Sequence, residues 1–211
     1  MPQHTGTGSG AQGQPGRPRR ARKRLADAPS LQALTHPTRL ALIEAIGLAG
    51  TLTATQASTH VGESPTACAY HLRTLARLGF VEEAGGGHGP ERPWRLAHAS
   101  HTVADSDEAT VQAAGQALTA ALTERFVGRI RAFQLVRRRQ TADVQAATGV
   151  LQSVVFATPA ELAALRAELL EVMSRFAGRI DPDQRPAGSL PFEIVTFLHL
   201  MTAPDTGERD A

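Results

Sequence analysis

The sequence has very little cysteine and few aromatic residues. Cys68 is the single cysteine, so no disulfide can form within the chain, and aromatic residues make up only 4% of its 211 positions. A reducing compartment is compatible with this. Because 42% of the residues are hydrophobic, a core of Leu, Ala, Val and Ile is still possible, enough for one well-filled domain or two small ones.

Long apolar runs are also absent. The N-terminal stretch MPQHTGTGSGAQGQ has no apolar region of the kind found in secretory signals. Runs such as ALIEAIGLAG are too short and too interrupted to span a bilayer. We therefore expect a soluble cytoplasmic protein with no membrane partner.

Positive charge is concentrated near the N-terminus. The formal net charge is +2, but residues 1–30 carry a net +5, residues 31–98 balance, and residues 99–211 carry a net −3. We predict a disordered basic arm over residues 1–28 that contains the stretch RPRRARKR. Such an arm can reach phosphates or a minor groove and make DNA binding strongly salt-dependent, although a solvated tail with no role is the alternative. Its candidate DNA contacts are Arg19, Arg20, Arg22 and Lys23.

The next segment shows the start and stop signals of three helices. Apolar residues recur at helical spacing in LTHPTRLALIEAIGLAG, with a break expected at Thr35-His36 before Pro37. The stretch LTATQASTHVG predicts a short helix capped by Thr53 and ended by Gly62. Ser64 then caps a third helix, with Pro65 at its first position.

A hairpin follows the third helix. VEEA predicts one strand and RPWRLAH the returning strand, joined by the flexible GGGHGPE, and Pro93 predicts that the second strand lies at an edge or a bulge. The candidate phosphate contacts on this hairpin are His88, Arg92 and Arg95.

The third helix is amphipathic. Stepping 100° per residue places Cys68, Leu72 and Leu75 on a buried side and polar residues on the far side, with His71 at the flank. A face with guanidinium, hydroxyl and methyl groups suits a major groove, although such residues are also ordinary on a solvated helix. The candidate DNA contacts here are Ser64, Thr66, Ala67, Tyr70, His71, Arg73, Thr74 and Arg77.

These stretches resemble the ArsR-type winged helix-turn-helix regulators. The resemblance is carried by LTHPTRLALIEAI, by TATQASTHVGESPTACAYHLRTLARLGFVEE and by GGGHGPERPWRL, and it covers about residues 31–98. It implies a dimeric, cytoplasmic DNA-binding transcription factor, often a repressor. The region that holds paired cysteines in the metal-sensing members has none here, so metal sensing is not implied.

Other chemistry finds little support. Cys68 and His71 are three residues apart, but the wheel turns the thiol inward, and His98 with His101 gives only half of a zinc site. GGGHG lies between strands rather than before a helix, which argues against a phosphate loop. We predict no metal, no cofactor and no enzymatic activity.

The C-terminal half predicts a dimerisation region. Residues 107–140 form one long helix in this prediction, with an apolar stripe that serves a homodimer or, alternatively, packs within the monomer. The stripe consists of Val111, Leu118, Leu122, Phe126, Ile130 and Phe133. Residues 149–201 predict a small strand-helix-strand unit, which either binds a small-molecule effector or only buttresses the dimer.

The predicted fold class is α+β, mainly α, with an N-terminal winged helix-turn-helix followed by a long helix and the strand-helix-strand unit. The predicted boundaries are 1–28 for the basic arm, 29–100 for the DNA-binding domain, 105–203 for the C-terminal region and 204–211 for a disordered tail. The predicted function is sequence-specific binding of double-stranded DNA as a homodimer. The competing class is a winged-helix module used for protein contacts, which would lack cations on its groove-facing surface.

Overall fold

The computed structural model describes residues 20–87, 91–104 and 106–201. The molecule is α+β and mainly α, as predicted. Its helices and strands, numbered in chain order, are β1 (Arg20–Leu25), α1 (Ala28–Ala33), α2 (Pro37–Ala49), β2 (Thr51–Leu52), α3 (Ala54–Val61), α4 (Pro65–Arg77), β3 (Val81–Glu83), β4 (Trp94–Leu96), β5 (His98–Val103), α5 (Ala109–Val136), α6 (Ala142–Ala147) and α7 (Pro159–Ser174).

The starts of α2, α3 and α4 are set by proline and by capping side chains. The chain breaks before Pro37, and α2 starts at that residue. In α3 the Thr53 hydroxyl accepts the backbone N–H of Gln56, and the Gln56 side chain accepts the N–H of Thr53, which forms a capping box. The Ser64 hydroxyl accepts the backbone N–H of Ala67 at 3.1 Å and caps α4. The predicted caps of α3 and α4 are therefore confirmed.

The hairpin belongs to a three-stranded antiparallel sheet in the order β2-β4-β3. Leu52 pairs with Trp94 on one side of β4, and Glu83 pairs with Trp94 on the other. The prediction of an edge strand or a bulge was wrong. Thr51 and Leu52 supply a second neighbour, the pairing on both sides of β4 is one-to-one, and Pro93 precedes the first paired residue. Two residues are too short a strand for periodicity to reveal.

Strand β1 corrects the prediction of disorder up to residue 28. Arg20–Leu25 pairs in parallel with β5, with Arg20 opposite His98 and Leu25 opposite Val103. Leu25 is 1% exposed, so its burial fixes the end of the strand. Neither RARKRL nor HASHTV alternates apolar and polar residues clearly, so neither strand was predicted.

One hydrophobic core joins the DNA-binding region to α5. Leu31, Leu42, Ile46, Leu72 and Phe80 are all fully buried in it. Val111, Ala114 and Leu118 from the first half of α5 belong to the same core. The predicted apolar stripe of α5 therefore does not act as one surface. Its first half packs within the monomer, which was the alternative to a dimer contact.

The C-terminal region contains both predicted helices and a further short one. α5 and α7 are confirmed, and Thr158 and Glu161 form the predicted capping box of α7. Residues 149–157 and 191–200, predicted as strands, lie in no helix or strand of the described chain. A strand needs a hydrogen-bonded neighbour, and none of the described strands lies beside them.

Candidate nucleic-acid interface

Helices α3 and α4 are held in a tight corner. They are separated by the turn residues 62–64, and Gly62 adopts a left-handed φ of 73°, which glycine tolerates without strain. The Thr38 hydroxyl donates to the Glu63 carboxylate at 3.2 Å and ties this turn to α2. A short helix, a glycine turn and a second helix form a helix-turn-helix corner.

The inner side of α4 anchors the helix in the core. Cys68, Leu72 and Leu75 are each 0% exposed. Burial raises the pKa of the Cys68 thiol, and nearby Glu63 raises it further. A buried, protonated thiol acts as a small apolar side chain, which agrees with the expectation from the wheel and argues against a nucleophile.

The outer side of α4 faces solvent. Thr66, Tyr70, Arg73 and Arg77 are exposed, and Tyr70 is 61% exposed. Across the described part of the chain, neither Arg73 nor Arg77 forms an ion pair or a side-chain hydrogen bond. Two guanidinium groups one helical turn apart are thus free to bind an external anion or base edge.

The hydroxyl groups on this face retain part of their hydrogen-bonding capacity. Thr74 donates its hydroxyl to the Tyr70 carbonyl at 3.1 Å, so its oxygen can still accept a hydrogen bond. The Ser64 oxygen accepts the Ala67 N–H, so its own O–H can still donate. Ala67 lies between Ser64 and Tyr70 in the sequence and is half-buried. Its small side chain leaves room for DNA to approach the helix closely.

His71 turns toward α2 instead of outward. Its ring centroid lies 4.6 Å from that of His36, and its buried Nδ1 has no hydrogen-bond partner among the described residues. Burial lowers the pKa of His71, and the charges of His36 and Arg39 lower it further. The neutral ring therefore packs between α4 and α2 and does not offer a positive charge to a ligand. Arg39, a cation beside α4, was missed because α2 was considered only for its apolar face.

The arginines of the hairpin are paired with acids of the same hairpin. Arg92 contacts Glu83 at 2.7 Å, and Arg95 contacts Glu82 at 2.8 Å, across strands β3 and β4. Each carboxylate offsets the charge of its guanidinium, so a phosphate would compete with it. His88 lies outside the described residues.

Lys23 points into the molecule. Its ammonium group donates to the Leu78 carbonyl at the end of α4 and lies 4.3 Å from the centroid of the Phe80 ring. Burial lowers the pKa of Lys23, although the charge of Asp27 opposes this. The prediction of Lys23 as a DNA contact is therefore corrected: it stabilises the C-terminal end of α4. Arg20 and Arg22 lie on β1, opposite His98 and Ser100, and Arg19 lies outside the described residues.

An ion-pair cluster fixes α5 against α2. Arg125 donates to the Glu44 carboxylate at 2.6 Å, and Arg129 bridges Glu44 to Glu193. Burial would raise the pKa of Glu44, but the hydrogen bonds and charges of Arg125 and Arg129 outweigh it and lower that pKa. Sequence reasoning missed this cluster because its members lie far apart in the chain.

Neither a metal site nor a membrane-spanning helix is found among the described residues. Over residues 20–87, 91–104 and 106–201, no three His, Cys, Asp or Glu side chains come together as a metal site would require. Over the same ranges, no helix combines the length and apolar character needed to cross a membrane.

The geometry of α3 and α4 is that of a helix-turn-helix DNA-binding protein. A family described as a helix-turn-helix domain matches residues 34–84, from the end of α1 to just past β3. The match supports a DNA-binding regulator. No curated protein matches the chain.

Proposed function

We propose that this protein is a sequence-specific, DNA-binding transcriptional regulator of the ArsR type that acts as a cytoplasmic homodimer and represses by occupying an operator. The helix-turn-helix match at residues 34–84 supports the DNA-binding class. The motifs of residues 31–98 support the finer assignment, since they resemble ArsR-type regulators through both the helices and the hairpin.

The observation that carries the proposal is the outer face of α4. It presents Tyr70, Arg73 and Arg77 to solvent, while the opposite side of the same helix is fully buried. The helix is therefore rigidly held and can enter a major groove with its polar side, where Arg forks onto guanine or phosphate oxygens. The exposed residues of α4, Thr66 in its first turn included, form the reading surface of this proposal.

The β3–β4 hairpin acts as the wing in this account. Arg92 and Arg95 must release Glu83 and Glu82 before they can bind phosphates, so we assign the wing a smaller share of the affinity than α4. Arg20, the first described residue, pairs with His98, which lies two residues after the end of β4.

A homodimer supplies two reading helices for a two-fold operator. A single helix-turn-helix reads one half-site, and half-sites about 10 base pairs apart match a protein two-fold axis. Val111, Ala114 and Leu118 of α5 are already used inside the monomer, so the second half of that helix is the part left for dimer contacts.

The proposal is tested by DNA affinity. Fluorescence anisotropy on an operator obtained by genome-wide mapping of bound DNA would compare the wild type with Arg73→Ala/Arg77→Ala. Because a bidentate base contact contributes about 1–3 kcal/mol and the double variant removes two such contacts, we expect it to bind at least roughly thirtyfold more weakly. Arg24→Ala/Arg209→Ala removes the same charge outside α4, α5 and α7 and should bind like the wild type. Equal affinity of wild type and Arg73→Ala/Arg77→Ala would exclude α4 as the reading helix, and no binding at low salt would favour a protein-contact module.

A further inference from the structure

The C-terminal arm, residues 149–201, leaves its apolar side chains in solvent. Helix α7 has a capping box at its start and no buried residue along its length. Phe156 is 101% exposed, Leu151 95% and Leu200 90%. An isolated helix of this length is marginal in water, so α7 needs a partner surface to be stable.

The arm is nevertheless attached firmly to its own DNA-binding region. The Arg185 guanidinium donates to the carbonyls of Leu48 at 3.1 Å and Gly47 at 3.3 Å, at the C-terminal end of α2. Glu193 pairs with Arg129, and Phe197 lies 6.4 Å from Phe126, both on α5. The arm is thus anchored by residues that follow α7, while α7 itself contains no buried residue.

The apolar residues of α7, continued by Phe176 two residues after its end, form a stripe. Leu162, Leu165, Leu169, Val172 and Phe176 recur at alternating steps of three and four, the spacing of a coiled-coil seam. Leu165, Val172 and Phe176 are 39%, 47% and 52% exposed. Apolar residues at this spacing typically pack against the side chains of another helix.

The exposed area fits a stable protein interface. With roughly 100 Å² left open on each large apolar side chain, the arm presents on the order of 1,000 Å² of apolar surface, which exceeds the patch found on most monomers and matches one side of a specific interface. The second half of α5 adds Ile130 and Leu135, which are 45% and 83% exposed.

Charge favours a second copy of this chain as the occupant. Arg131 lies in the second half of α5, and Arg138 and Arg139 lie in the turn that directly follows it, whereas α7 carries Glu168 and Glu171. None of these side chains forms an ion pair with another described residue. In a two-fold dimer, the basic residues of one protomer can face the acidic residues of its partner, and the reverse contact forms at the same time. Opposite charges on one chain therefore suit a self-complementary interface.

We infer that the C-terminal arm is the dimerisation element and packs α7 and its flanking segments on α5 and the arm of a second copy. The segments 149–157 and 191–200 are rich in β-branched and aromatic residues and lack a strand partner within the described chain. A second copy provides one by pairing backbone edges, which accounts for the strand signal in their sequence. The inference deepens the homodimer of the proposed function and rests on it.

Sedimentation of the full-length chain tests the inference. The chain mass is 22.4 kDa, so the wild type should sediment at about 45 kDa at low micromolar concentration. Val172→Arg/Phe176→Arg places two cations in the seam and should raise the dimer dissociation constant by at least about a hundredfold. Ala163→Arg, on the far side of α7 and about two turns before Glu171, is the matched control and should remain dimeric.

Hydrogen exchange on the wild type gives a second readout that needs no variant. Amides of α7 should be protected at high protein concentration and lose protection on dilution, because dissociation uncovers the helix. A monomeric wild type, a dimer unaffected by Val172→Arg/Phe176→Arg, or α7 protection independent of concentration would each overturn the inference. Arg73→Ala/Arg77→Ala should remain a dimer, so a failure of DNA binding is distinguishable from a failure of dimerisation.

Discussion

At the residue scale, the side chains below α4 determine how firmly the reading helix is held. The Lys23 ammonium donates to the carbonyl of Leu78, the residue that caps α4, and the rings of Phe80 and His101 lie with their centroids 5.2 Å apart. These residues contact the C-terminal end of the helix and leave its outer face open. They are therefore positions where stability can be altered without changing the groups offered to DNA.

Lys23→Met should destabilise the protein by about 1 kcal/mol, since it removes a charged donor at a helix C-terminus and its contact with the Phe80 ring. Chemical denaturation measures the effect. Arg24→Met is the matched control, because Arg24 is exposed on the same strand. If the two variants unfold at the same denaturant concentration, Lys23 does not support α4.

Acid should destabilise the fold through His101. Burial lowers the pKa of this residue to about 4, helped by the charges of His98 and Lys23. The unfolded chain binds the proton near pH 6.5 and the folded chain only near pH 4, so stability is full above 6.5 and falls as the pH drops between these values, by on the order of 3 kcal/mol. NMR titration of the His101 ring with unfolding measured at each pH checks this; a ring that titrates near 6.5 would contradict it.

At the element scale, α5 has two halves with different roles. Leu118 is 1% exposed in the monomer core, whereas Ile130 is 45% exposed beyond the Glu44 ion-pair cluster. A continuous apolar stripe in the sequence therefore serves two separate contacts. The division could not be predicted, because a periodic pattern shows which face is apolar and not what covers it.

Leu118→Ala should lower the free energy of unfolding by about 2–5 kcal/mol at every protein concentration, because it leaves a cavity inside one protomer. Ile130→Ala should leave the unfolding of the monomer within about 1 kcal/mol of the wild type and weaken the dimer instead. Denaturation at several protein concentrations separates the two effects. A concentration-dependent loss for Leu118→Ala would place that residue in the dimer interface.

The elements with local signals were predicted, and those that depend on distant contacts were not. Thr53, Ser64 and Thr158 carry their capping partners within a few residues, so the starts of α3, α4 and α7 could be read from sequence. Strands β1, β2 and β5 exist through pairing across the chain. The same holds for the site: the outward face of α4 follows from helical spacing, whereas the inward turn of Lys23 depends on Leu78 and Phe80.

At the scale of the whole molecule, charge near the N-terminus should control the salt dependence of DNA binding. Deletion of residues 1–19 removes Arg17 and Arg19 but leaves β1 intact, while deletion of residues 1–16 removes no Lys, Arg, Asp or Glu. If both arginines of each protomer bind phosphates, the first deletion should reduce the slope of log affinity against log salt by up to about 3–4, and the second should leave it unchanged. Equal slopes for both deletions would show that the arm does not contact DNA.

Whether α4 reads DNA can be measured by selecting bound sequences from a pool of random duplex DNA with the full-length protein. We expect enrichment of a two-fold symmetric motif with half-sites about 10 base pairs apart, and loss of that motif with Arg73→Ala/Arg77→Ala. A pool that stays random, or the same motif selected by that variant, would contradict recognition of DNA by α4.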